Sequence, residues 1–121
     1  MRITLEIKPV PLGRPRVNTT NRGRYLPKSS KEFREQFQWL LLNEKKFLKP
    51  YTKPLKITMH FYKPVKATSK TRYGDIDNLA KAVLDACNGI LFIDDSQIVE
   101  MHCYKHKGAD KIEIEVVENV D

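Results

Sequence analysis

Apolar and polar residues alternate from the start of the chain, with Ile3, Leu5 and Ile7 set against Arg2, Thr4, Glu6 and Lys8. A period of two puts each set on its own face of an extended backbone, so residues 2 to 8 predict a half-buried strand that Pro9 and Pro11 end. Further on the period lengthens: Phe33, Phe37, Leu40, Leu41 and Phe47 recur at threes and fours behind a capping box, Ser29-Ser30-Lys31-Glu32. That pattern predicts a helix over residues 30 to 48, with Trp39 off the apolar stripe, where its indole either covers the helix edge, the reading adopted, or meets another subunit. After Pro50 and Pro54 the period returns to two. Leu55, Ile57, Met59 and Phe61 alternate with Lys56, Thr58, His60 and Tyr62, which predicts a second long strand.

A second helix is expected over residues 77 to 88, with Leu79, Ala82, Val83 and Ala86 inward and Gly89 as the left-handed residue past its end. Residues 97 to 105 and 111 to 118 read as two strands joined across Lys107-Gly108-Ala109-Asp110, a hairpin in which Ile112, Ile114 and Val116 face inward. Short strands are also expected at 15 to 18 and 23 to 26. These elements describe an α+β fold of one domain over residues 1 to 121, with a β-sheet of about four to five strands and two main helices on it. A chain of 121 residues is long enough for one sizeable core. No apolar run approaches the roughly 20 residues that span a bilayer. The amino terminus alternates like a strand and carries Glu6 instead of resembling a signal peptide. A cytoplasmic protein without membrane association is therefore expected. Cys87 and Cys103 match no zinc-ligand spacing and read as small apolar residues, and His102 and His106 as bystanders.

Charge divides the chain. Residues 1 to 74 hold 18 Lys or Arg against four Glu, a net +14, whereas residues 75 to 121 hold four Lys against 11 Asp or Glu, a net −7. The basic part suggests a polyanion. Its cations recur in loops punctuated by glycine and proline, among them Arg14 and Arg16 in the first, and Lys63, Lys66, Lys70 and Arg72 in the segment that runs into Asp75. These side chains reach phosphates easily, and Arg14, Arg16, Lys63, Lys70 and Arg72 are the expected backbone contacts. Tyr73 beside them is read as packing locally.

The acidic part contains Gly74-Asp75-Ile76-Asp77-Asn78-Leu79-Ala80-Lys81 and, further on, Ile93-Asp94-Asp95-Ser96-Gln97. If residues 74 to 77 are extended, Asp75 and Asp77 share a strand face. If a helix starts at Asp77, Lys81 follows on its face one turn along. Each fragment has an ordinary reading: Asp77 as an N-cap, Asp77 with Lys81 as a surface pair worth only about 0.2 to 0.5 kcal/mol, Asp94-Asp95-Ser96 as a turn. A cap needs one carboxylate, however, and no turn requires a second acidic pair later. The combination points to metal-dependent cutting of a nucleic acid. Hard oxygen ligands suit Mg²⁺, with Mn²⁺ as a substitute, and no small-molecule cofactor is called for. Adjacent Asp94 and Asp95 point to opposite faces of an extended chain, so one is expected to coordinate and the other to support the turn.

Asp75-x-Asp77-Asn78-Leu79-x-Lys81 followed by Asp94-Asp95-x-Gln97, with the apolar run Ile90-Leu91-Phe92-Ile93 before it, resembles the RusA family of Holliday junction resolvases, small endonucleases often encoded by prophages. The resemblance implies an α+β fold with a mixed sheet, magnesium-dependent hydrolysis, and a homodimer cutting symmetric strands of a four-way DNA junction in recombination and repair. It implies Asp75, Asp77 and Asp95 as the essential carboxylates and Lys81 as the essential lysine, with Asp94 an additional candidate metal ligand. Two rival readings stand beside it: a non-catalytic basic DNA-binding module whose acids are caps and turns, and a nuclease for other branched or flap DNA. Metal-dependent cleavage separates the first from an enzyme.

Overall fold

The computed structural model describes residues 1–13, 16–17, 24–25, 28–44, 49–69 and 71–119. Among them the elements run in the order β1 (Arg2–Leu5), β2 (Arg16–Val17), β3 (Arg24–Tyr25), α1 (Lys28–Asn43), β4 (Leu55–Lys63), α2 (Ile76–Cys87), β5 (Ile98–Lys107) and β6 (Lys111–Glu118). A 3-10 turn at Asp95–Gln97 precedes β5. The long alternating segments assemble into a four-stranded sheet ordered β1-β6-β4-β5, in which β4 runs antiparallel to β6 and parallel to β5. This is the α+β arrangement of a mixed sheet with two helices that the sequence led us to expect. The two short strands pair with each other, Arg16 opposite Tyr25 and Val17 opposite Arg24.

Strand parity decides the core. Ile3 and Leu5 of β1, Ile57, Met59 and Phe61 of β4, and Ile112, Ile114 and Val116 of β6 are buried, and they join Phe37 and Leu41 of α1 and Leu79, Val83 and Ala86 of α2 in one cluster. Phe37 has no exposed surface, so its truncation to Ala would cost about 3–5 kcal/mol. The alternate residues of β4, from Lys56 to Tyr62, are half-buried on the other face.

Two local expectations change. The anticipated hairpin of the last two strands does not form, because β4 lies between β5 and β6. The turn after β5 steps over the end of β4, where the Gly108 amide donates to the Lys63 carbonyl at 2.9 Å. Apolar alternation assigns each strand a face but not a partner, and sequence neighbours in a sheet are usually but not always adjacent. Helix α1 begins at Lys28, ahead of the proposed capping box, which places Ser29 and Ser30 inside it. Ser30 is buried and its Oγ accepts a hydrogen bond from the Gly13 amide at 2.9 Å, fixing the approach to the basic loop instead of capping the helix. Trp39 is 64% exposed, and Phe47 lies outside the described residues.

Helix α2 is the crossover between parallel β4 and β5, a connection that needs a dozen or more residues. It ends as anticipated: the Asn88 amide donates to the Leu84 carbonyl, and Gly89 takes φ +80°. No described helix is long and apolar enough to cross a membrane. Both cysteines are free, and burial pushes their thiols up, Cys87 most strongly.

Candidate active site

The chain enters α2 through Tyr73-Gly74-Asp75. Gly74 has φ +98°, and a β-carbon there would stand 2.8 Å from Pro11 Cγ, so this bend accepts only glycine without strain. Asp75 follows at the N-cap in extended conformation (φ −78°, ψ 140°), and Asp77 falls in the first helical turn. The two carboxylates therefore both lie at the open end of a helix, not on one face of a strand. Lys81 lies one turn beyond Asp77 on the same face, as its spacing required.

An aspartate at an N-cap ordinarily accepts a backbone amide, but Asp75 makes no such side-chain bond. Asp77 and Lys81 form no salt bridge, and among the described residues neither has a charged partner. Asp75, Asp77 and Lys81 are all exposed. The ordinary readings of cap and surface pair thus do not describe what these side chains do.

The second acidic pair behaves differently. Asp94 accepts the Ser96 amide at 3.0 Å while Gln97 Oε1 accepts the Asp94 amide at 2.9 Å, a complete capping box for the 3-10 turn. Hydrogen bonding from the Ser96 side chain, then from its backbone, holds the Asp94 carboxyl below its ordinary value. Gln97 Nε2 donates to the carbonyls of Tyr51 and Lys53, tying the turn to the segment before β4. Asp95 is exposed beside a cleft of about 330 Å³ lined by Leu84, Ile98, Val99, Glu100 and Met101.

That cleft is remote from Asp75. Lys105, late in β5, donates to the Gly74 carbonyl at 2.7 Å, whereas Asp95 precedes Ile98 at the start of the same strand. Leu84, which lines the cleft beside Asp95, lies nine residues past Asp75, roughly 13 Å along α2 at about 1.5 Å each. One chain brings Asp75, Asp77 and Lys81 together and leaves Asp94 and Asp95 at the other end of the sheet. Consistently, among the described residues no group of three His, Cys, Asp or Glu side chains is placed to hold a metal ion. The paired carboxylates at the α2 terminus still suit Mg²⁺, which keeps several waters and takes one or two carboxylates together with substrate phosphate.

Of the expected DNA contacts, Arg72 is exposed next to the acidic pair. Arg14 and Lys70 lie outside the described residues, and Arg16 is described only by its backbone in β2. Lys63 is turned inward, 5% exposed, with Nζ donating to the carbonyls of Arg72 at 2.9 Å and Tyr73 at 3.1 Å. Burial, then the charge of Lys8, pulls its ammonium below the ordinary lysine value. An ammonium bound to two carbonyls is not presented to a phosphate. Parity carried the signal, since Lys63 continues the buried series Leu55, Ile57, Met59, Phe61 of β4. The approach to the first basic loop is held at the same helix end, where the Leu12 amide donates to the Asn78 carbonyl at 3.0 Å.

Tyr73 packs, as read from the sequence. It is fully buried, with its hydroxyl donating to Phe61 O (2.6 Å) or His106 O (2.7 Å) and accepting from the His106 amide (3.2 Å). His106 is less of a bystander than expected: its Nε2 stands 2.8 Å from His60 Nδ1, within stacked rings that include Tyr62 and Tyr104.

A family model described as Endodeoxyribonuclease RusA matches residues 6–117. No curated protein matches the chain.

Proposed function

Because the chain belongs to the RusA endodeoxyribonuclease family, we propose that it is a divalent-metal-dependent, structure-selective nuclease that resolves Holliday junctions by paired symmetric nicks. The observation that carries this reading is the exposed, uncapped and unpaired set Asp75, Asp77 and Lys81 at the start of α2, where Arg72 and the approach to the Arg14 loop also converge. Both carboxylates are exposed and have no cationic partner among the described residues, so a divalent cation could bind them without displacing a lysine or arginine.

We further assign the working unit as a homodimer whose sites are shared. Within one chain, Asp95 does not join Asp75 and Asp77 in a group of three carboxylates placed to hold an ion, so Asp95 of a second copy would stand with Asp75, Asp77 and Lys81. Exposed Val99 and Met101 line the cleft beside Asp95, exposed Ile93 comes two residues before it in the chain, and Ile76, 37% exposed, lies between Asp75 and Asp77. These apolar side chains supply surface that pairing of two chains would cover. With Asp94 committed to its capping box, Asp95 is the member of the pair left to act as ligand.

Asp75, Asp77 and Asp95 would hold Mg²⁺, which when bound supplies a more acidic water and offsets charge on the phosphate. Lys81, without a charged partner among the described residues, would place its ammonium against the scissile phosphate or orient the attacking water. Arg72 and the basic loop would grip flanking phosphates, which position the duplex arms without reading sequence. Junction selectivity would then come from the spacing of two such faces across the dimer.

The test is an end-labelled four-way junction and a matched linear duplex, each incubated with Mg²⁺ or EDTA, with Asp75→Asn as control. Paired nicks that require the junction, the ion and Asp75 are expected. Tight junction binding with no cutting under any divalent ion would instead favour a DNA-binding module.

A further inference from the structure

Two lysines that the nuclease chemistry does not use converge on the three residues before Asp75. Lys63 closes β4, and Lys105 lies opposite Phe61 on neighbouring β5. Lys63 Nζ donates to the carbonyls of Arg72 and Tyr73, and Lys105 Nζ to that of Gly74 at 2.7 Å. Every carbonyl from residue 72 to 74 is therefore held by an ammonium. Between the two lies the Tyr73 ring, 5.3 Å from Lys63 Nζ and 4.8 Å from Lys105 Nζ, its hydroxyl pinned to the backbone of Phe61 and His106. On the opposite side Gly74 is closed against Pro11.

A surface loop ordinarily leaves its carbonyls to water. Here a half-buried ammonium and a buried one are committed to three successive peptide groups immediately upstream of a carboxylate that makes no cap bond of its own. The Asp75 carbonyl accepts the Leu79 amide at 3.0 Å, but its carboxylate has no cap bond to orient it, so the placement of the side chain depends on the backbone before it, which is fixed from beneath. We propose that Lys105, acting with Lys63 and Tyr73, is a positioning residue: by clamping the Gly74 peptide it holds Asp75 at the place where a divalent cation is bound. The inference rests on the nuclease reading for the identity of that cation. Lys105 itself touches neither ion nor DNA.

The test compares full-length wild type with Lys105→Met, Lys105→Gln and Lys105→Arg. Mn²⁺ affinity is read by calorimetry, junction affinity in EDTA, cleavage rate in Mg²⁺, and thermal midpoint as the check on folding. Groups that orient a ligand through another residue typically cost about 10- to 100-fold in metal affinity or activity when removed. A loss of that size is expected in Mn²⁺ affinity and cleavage for Lys105→Met, with junction affinity unchanged and partial recovery in Lys105→Arg, which keeps a donor. Lys105→Gln, shorter but polar, serves if Lys105→Met does not fold. Folded variants with wild-type Mn²⁺ affinity would overturn the proposal, as would a loss confined to the thermal midpoint. Wild type that binds Mn²⁺ but cuts no junction would sink the resolvase reading and leave the clamp to be judged by metal affinity. Wild type that binds no divalent ion would overturn both.

Discussion

Asp75 and Asp95 stand at opposite ends of one strand's length: Asp75 follows the Gly74 carbonyl that Lys105 holds, and Asp95 lies ahead of Ile98, where β5 begins. In the proposed shared site they come from two chains. Asp75→Asn and Asp95→Asn proteins, each inactive alone, should therefore regain cleavage when mixed and allowed to exchange subunits, because every mixed dimer carries one intact shared site. The product should be single nicks instead of paired ones, resolved on a denaturing gel. Mixtures that stay inactive would place the site within one chain.

Asp94 and Asp95 should separate by phenotype. Asp95→Asn is expected to abolish cleavage with no loss of stability, since its side chain is exposed. Asp94→Ala should retain cleavage and lose stability, because it removes the capping box of the turn. The folded pKa of Asp94 lies below its ordinary 3.8, so its contribution is fully present above that value and is lost as pH falls through the lower, folded one. Urea titrations of wild type and Asp94→Ala should differ at about pH 6 and converge in acid.

Gly74→Ala adds a β-carbon at a positive φ and drives it to 2.8 Å from Pro11 Cγ. The backbone penalty alone is about 1–2 kcal/mol, and relief requires Gly74 or Pro11 to move. Chemical denaturation should register at least that loss, and cleavage should fall further than stability because Asp75 moves with the bend.

Arg72→Ala and Lys63→Gln should have opposite signatures, although both remove a cation from one loop. Arg72 is exposed, so its removal should weaken junction binding and lower the salt slope by about 0.9 for each phosphate that its guanidinium neutralises. Lys63 is buried on two carbonyls, so its replacement should lower the unfolding midpoint and leave the slope unchanged. An unchanged slope for Arg72→Ala would remove it from the DNA-binding surface.

Ser30→Ala should strand the Gly13 amide, which has the Ser30 hydroxyl as its partner at 2.9 Å. An unsatisfied donor costs about 1–3 kcal/mol when fully buried, and Gly13 is half-buried, so a loss at the lower end of that range is expected. Because Gly13 leads into Arg14, junction affinity in EDTA should fall with it while Mn²⁺ affinity is retained.

Much of this molecule is legible along the chain. Period-two runs gave the long strands and their buried faces, the threes and fours from Phe33 to Leu41 gave α1, and Gly89 marked the end of α2, because periodicity and local dihedral preference are properties of neighbouring residues. The motif from Asp75 to Lys81 was equally local, and the helix that starts there places Asp77 and Lys81 on one face as their spacing requires. Tertiary structure decided the rest. That β4 separates β5 from β6 depends on which edges pair, and every amphipathic strand presents the same edge chemistry. That the Asp94 side chain caps a turn while that of Asp75 caps nothing is a property of the folded backbone at each place. The inward turn of Lys63 follows from strand parity but acquires meaning only from the carbonyls of a loop that returns to meet it. The distance from Asp75 to Asp95 could not be read from a motif that places them 20 residues apart, because a crossover helix between parallel strands carries the chain the length of the sheet before it turns back.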